Sequence, residues 1–163
     1  MEQAYIYYGL DNGISFISKM IRLFNWSDIS HVSAFLPPNQ DGAFTNVIEA
    51  WWPVVRECHW TSGHRPGTVV TVYRVPCTKA QQEGFYRSMR AKVGARYDLP
   101  GVMSFVLRKT IGKRDRWFCS EAVFHSAITN MIVLLARIVP DKVFPAMLRL
   151  PPCAEVVMKL KIP

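Results

Sequence analysis

The stretch HVSAFLPPNQDGAFTNVIEAWW, residues 31–52, sets two short apolar runs around a centre of Pro, Asn, Asp and Gly. Short runs of β-branched and aromatic residues bounded by turn formers predict strands, and that centre predicts the turn of a hairpin. To the C-terminal side TVVTVYRVP (68–76) is the clearest strand in the chain. To the N-terminal side AYIYYGL (4–10) reads as a strand closed by Asp11-Asn12-Gly13, and ISFISKMIRLF (14–24) repeats apolar residues at helical spacing. Thr78 is placed to cap a helix from Lys79 to about Lys92, with Phe85 and Met89 on one face and Gly94 as the stop. Residues 97–116 predict a short helical piece and a basic loop, and 120–139 a buried helix ended by Pro140. The proline-broken tail is predicted to wrap the domain and finish as a strand at EVVMKLKIP. Strands grouped in the middle and helices set before and after them predict an α+β fold, an antiparallel sheet packed against helices.

A chain of 163 residues, half of them hydrophobic, has the material for one domain with a real core. No basic run leads into an apolar stretch with a small-residue cleavage site, so no secretory signal is visible. Residues 127–139 are too short and too polar for a membrane span. The expectation is a cytoplasmic protein, with Cys58, Cys77, Cys119 and Cys153 as free thiols and contact with membranes at most peripheral. Charge is uneven: between Arg87 and Arg116 nine Lys or Arg stand against two Asp, an excess of seven in a chain whose net charge is +8. Such a segment either serves as a solvated face or meets an anionic surface or polymer. No RNA-binding motif, zinc-finger spacing or phosphate-cradling glycine loop accompanies it, which argues against specific nucleic-acid recognition. Cys58, His59 and His64 lack the separated-pair spacing of a structural zinc site, and neither a metal nor a cofactor is expected.

Period two puts His31, Ser33 and Phe35 on one face of the first strand and Val47, Glu49 and Trp51 on one face of the second. With Pro38–Gly42 as the turn and Pro37 opposite Ala43, His31 faces Glu49. A carboxylate on one ring nitrogen fixes the tautomer and raises the basicity of the other, as a general base requires. Arg56 and Arg22 compete for the same carboxylate. Cys119, in RWFCSEAVFHSA (116–127), stands at the entry of the predicted helix, where unpaired backbone N–H groups and the helix dipole favour negative charge on sulfur. Cysteine at a helix start, histidine on a strand and a carboxyl group on the next strand are the parts of a papain-like nucleophilic site. Trp51, Trp52 and Trp60 either line a groove beside Glu49 or fill the core.

The pieces SHVSAF, VIEAWW, ARYDLPG and WFCSEAV, in that order, resemble the permuted papain-like branch of the NlpC superfamily, the YiiX-like proteins. In the ordinary branch the cysteine helix precedes the histidine strand; here His comes first, then Glu, then Cys. The resemblance spans roughly residues 4–130, and 131–163 form an apolar extension that it does not cover. It implies one papain-like domain in which Cys119 is nucleophile, His31 base and Glu49 orienter, with Tyr97 at the wall of the substrate site; Trp51 and Ser33, on the strand faces that carry Glu49 and His31, are the further candidates for contact with the substrate. It further implies a thiol-dependent amidase or peptidase that forms an acyl-enzyme on a peptide-like or acyl-amide substrate. Two alternatives follow from the same residues. The related lecithin:retinol acyltransferase group also has His before Cys, which with the basic segment suggests a lipid-directed acyltransferase or thioesterase at a membrane surface. A non-catalytic binding module on the same fold is the other.

Overall fold

The computed structural model describes residues 3–13, 18–19, 22–23, 26–100 and 115–163. Among the described residues eight strands form one sheet: β1 (Gln3–Asp11), β2 (His31–Phe35), β3 (Asn46–Trp51), β4 (Val54–His59), β5 (Val69–Thr78), β6 (Arg96–Tyr97), β7 (Arg116–Trp117) and β8 (Glu155–Lys161). Their spatial order is β7-β6-β4-β3-β2-β1-β5-β8, and every pairing is antiparallel except β6 with β7. Two helices, α1 (Lys79–Arg90) and α2 (Cys119–Ile128), pack on the sheet, which is the α+β arrangement the sequence predicts. No helix among the described residues is long and apolar enough to cross a membrane.

Both faces of the sheet are covered. On one, Ile6, Tyr8, Val32, Ala34 and Ile48 meet Phe85 and Met89 of α1 and Ala122 and Val123 of α2. On the other, Phe35 and Val47 join Phe44, Val70 and Val72, and β8 adds Met158 and Leu160. With both faces covered, every residue of β2 is buried, the polar His31 and Ser33 included. Gly9 is required where β1 crosses this second cluster, because a Cβ there would overlap the Phe35 ring and come within 2.8 Å of Val70. The α1 start is a capping box: Gln81 N donates to Thr78 Oγ1 at 3.2 Å, and Thr78 N donates to Gln81 Oε1 at 2.9 Å.

Four expectations need correction. The hairpin pairs Ala34 with Ile48 and Phe35 with Val47, two residues out of the register assumed from sequence. Pro37 and Pro38 cannot donate backbone hydrogen bonds, so the turn closes beyond them. Asn39 N donates to Ala43 O, Ala43 N to Asn39 Oδ1 and Gly42 N to Asn39 O, at 2.8–3.0 Å, with Gly42 at φ +79. His31 and Glu49 keep one face, but as diagonal neighbours. Second, β4 was not foreseen, since Pro53 and the charged Arg56-Glu57 pair mask its alternation. Third, the helix expected over 120–139 begins at Cys119 and ends at Ile128. Thr129 Oγ1 and Asn130 Nδ2 donate back to the carbonyls of His125 and Ser126, and Met131 takes φ +58, so the chain turns away. Two short 3₁₀ turns, Pro140–Lys142 and Pro145–Arg149, follow. Fourth, α1 stops at Arg90, before Lys92, and Gly94 takes φ +89 in the turn after it. Of the first expected helix, residues 18–19 and 22–23 are helical and the rest lies outside the described residues, as does most of the basic loop. The tail strand forms as expected, pairing β8 with β5.

Candidate active site

β2 opens with His31, and β3, its neighbour in the sheet, carries Glu49 on the same face. His31 Nε2 lies 2.8 Å from Glu49 Oε2, and the two residues are 7% and 1% exposed. The other carboxylate oxygen is also committed: Arg56 donates to Oε1 from Nε at 3.0 Å and Nη2 at 2.7 Å, and the Cys58 thiol from 3.6 Å. Arg56 is held by Ser62 O at 2.8 Å and lies 4.8 Å over the Trp51 ring. Burial disfavours charge on Glu49, but the bonds from His31 and Arg56 outweigh it and keep the carboxyl below its ordinary range. Burial and the Glu49 charge push the Cys58 thiol up to about 11, so it stays a hydrogen-bond donor.

An ionised carboxylate only accepts hydrogen bonds, so His31 Nε2 carries the hydrogen that faces Glu49. Nδ1 is then the ring nitrogen left without a carboxylate partner, and the Cys119 side chain lies beside the same imidazole. Cys119 is the first residue of α2 and is 2% exposed. Its backbone N–H is among those that a helix start leaves without an intrahelical acceptor. Burial works against a charged His31; the Asp11 carboxylate, the Cys119 side chain and Glu49 overcome it and hold the imidazole well above the usual histidine range.

The remaining sequence candidates take distinct places. Trp51 stands edge-on to His31 with ring centroids 5.1 Å apart. Tyr97 is buried, and burial first, then the nearby Cys119 and Asp98, raises its phenol well above the ordinary value. Ser33 is 3% exposed and paired opposite Gly9. Glu121 accepts from Phe118 N at 3.4 Å, and burial pushes it up to about 7.

Two groups near His31 escaped the sequence reading. Asp11 is paired directly opposite His31, is 2% exposed, and has an Oδ2 without a hydrogen-bond partner. In sequence it reads as part of the Asp11-Asn12-Gly13 turn; its position one strand from His31 shows only once the β1–β2 register is known. His64, set aside with Cys58 and His59 as chance, has its ring 6.2 Å from His31 and 5.1 Å from Trp51. Burial keeps it below the usual histidine value. His59 instead pairs with Thr61 at 2.8 Å. Among the described residues no three His, Cys, Asp or Glu gather where they could hold a metal ion.

No family model matches the sequence, and no curated protein matches it. Among solved structures, the crystal structure of the metalloprotein YiiX from Escherichia coli O157:H7 is similar over 96% of this chain and 97% of that one, with a TM-score of 0.67 at 19% identity. The likeness is one of fold: this chain has a YiiX-like architecture along nearly its whole length.

Proposed function

We propose that a chain with this YiiX-like fold is a thiol-dependent acyl hydrolase, an amidase or peptidase of the permuted papain-like NlpC type, with Cys119 as nucleophile, His31 as general base and Glu49 as its orienter. The observation that carries the reading is the series of hydrogen bonds from Arg56 through the buried Glu49 to His31, with the Cys119 thiol at the start of α2 beside that imidazole. His31 takes the Cys119 proton at Nδ1, and its raised basicity favours that transfer. The thiolate attacks the substrate carbonyl carbon, and the electron pair moves onto oxygen, toward the Cys119 backbone N–H. On collapse the C–N bond breaks, and the imidazolium returns its proton to the leaving amine. Water, deprotonated by His31, then cleaves the thioester to a carboxylic acid and restores the thiol. Tyr97 and Trp51 serve as walls of the substrate site, and Ser33 supports the His31 strand beneath it.

YiiX is described as a metalloprotein, but the described residues here do not fit a metal. Both Glu49 oxygens and His31 Nε2 are engaged, the Cys58 thiol is held protonated, and no three His, Cys, Asp or Glu among the described residues gather at one point. No step is derived through one.

The test is to mix the protein with a small p-nitrophenyl acyl ester, quench in acid and map the adduct by mass spectrometry. One acyl group on Cys119 is expected. No adduct, or acylation spread over Cys58, Cys77 and Cys153, contradicts the proposal.

A further inference from the structure

The basic segment resolves into groups with different fates. Arg90 pairs with Glu57 at 3.1 Å, and Lys92, 6% exposed, commits its ammonium to Ser88 and to Ser126 Oγ at 2.8 Å. Arg108, Lys109, Lys113 and Arg114 lie outside the described residues. Arg96 and Arg116 are unlike these. They occupy the same position in the parallel pairing of β6 and β7, and neither forms an ion pair with a described residue. Both line one surface cavity of about 310 Å³, together with Trp52, Pro53, Val54 and Tyr97.

Strands paired in one sheet lie roughly 4.8 Å apart, so two guanidiniums on adjacent strands repel unless an anion sits between them. Guanidinium forks bind the oxygens of carboxylate or phosphate with charge-assisted hydrogen bonds. Trp52, 57% exposed at the rim, offers an apolar face for the part of a ligand that carries the anion. The cavity lies on the candidate thiol's side of the sheet edge only through Tyr97, since Cys119 itself does not line it. Tyr97 forms the cavity wall and has Cys119 beside it, and Arg116 lies three residues before Cys119 on the strand that leads into α2.

We infer that the Arg96–Arg116 cavity is an anion subsite that receives a carboxylate or phosphate group of the substrate and sets the substrate's position relative to Cys119. As a substrate subsite it rests on the hydrolase reading; as an anion site it is tested without it. Inorganic phosphate and glutarate are titrated calorimetrically at constant ionic strength into the wild type and into variants. Saturable binding of at least one anion is expected, weakened at least about tenfold in Arg96→Gln/Arg116→Gln, the scale of one lost charge-assisted bond. The single variants Arg96→Gln and Arg116→Gln should each lose part of that affinity, which keeps the test open if the double variant folds poorly. Arg87→Gln/Arg90→Gln removes the same formal charge elsewhere and should bind as the wild type does. Tighter phosphate binding points to a phosphate-bearing substrate, tighter glutarate binding to an acidic side chain or terminus. The inference fails if neither anion saturates, or if the Arg87/Arg90 variant loses as much as the Arg96/Arg116 variant. An absent acyl adduct on Cys119 would overturn the hydrolase reading and leave anion binding standing; absent anion binding would do the reverse.

Discussion

His31→Ala is expected to lower kcat/KM toward an activated acyl ester by about 10²–10⁴-fold, the usual worth of a positioned general base. The variant retains the thiol and the helix start, so what it removes is the proton acceptor. Added imidazole should restore part of the lost rate, because a small base can enter the space the ring leaves. Rescue separates proton transfer from a merely structural role: a destabilised protein would not recover on addition of imidazole. A fall of less than about threefold, or a large fall without rescue, would take His31 out of the role of base.

Glu49→Ala should cost about 3–5 kcal/mol of stability, since removing one partner of a buried ion pair strands the others. Arg56 and His31 would lose their shared acceptor, with only 30% and 9% of their side chains exposed to water. For a chain of 163 residues this corresponds to a fall in Tm of about 6–20 °C, measurable by calorimetry. The pH dependence follows from the directions of the two shifts. The lowered Glu49 contributes stability above its unfolded pKa and loses it as pH falls through the folded value. The raised His31 contributes fully below its unfolded pKa and loses it as pH rises through the folded value. The gap between wild type and Glu49→Ala should therefore be widest between about pH 4.3 and 6.5, the ordinary values of the two groups. A gap below about 1 kcal/mol throughout that range would mean that the Arg56–Glu49–His31 series contributes little to the fold.

What was legible in the sequence was local. Alternation and turn chemistry marked β1, β2, β3, β5 and β8, and Thr78 marked the start of α1. Period two put His31 and Glu49 on a common face, a property that survives a register error of two residues. Where pairing depended on which N–H groups exist, the two prolines at 37 and 38 moved the turn, and only the folded hairpin reveals the Asn39 carboxamide closing it. Asp11 and His64 were hidden for a related reason. Each meets His31 through a strand or loop distant in sequence, and a turn-like Asp-Asn-Gly or a lone histidine carries no mark of that. The α2 end was misjudged because apolar composition continues past Ile128, while the side chains of Thr129 and Asn130 compete for the last carbonyls. The basic segment gave its total charge but not its division into paired, buried and unpaired cations.

The most direct measurement is the rate of iodoacetamide labelling at each cysteine, resolved by mass spectrometry from pH 6 to 9, in the wild type and in His31→Ala. Cys58, Cys77 and Cys153 serve as references within the same molecule. If Cys119 is a nucleophile activated by His31, it labels fastest of the four at pH 6.5 despite its burial, and that advantage disappears in the variant. Labelling of Cys119 no faster than the references, or equal in both proteins, would contradict the account and leave a buried thiol on a binding fold.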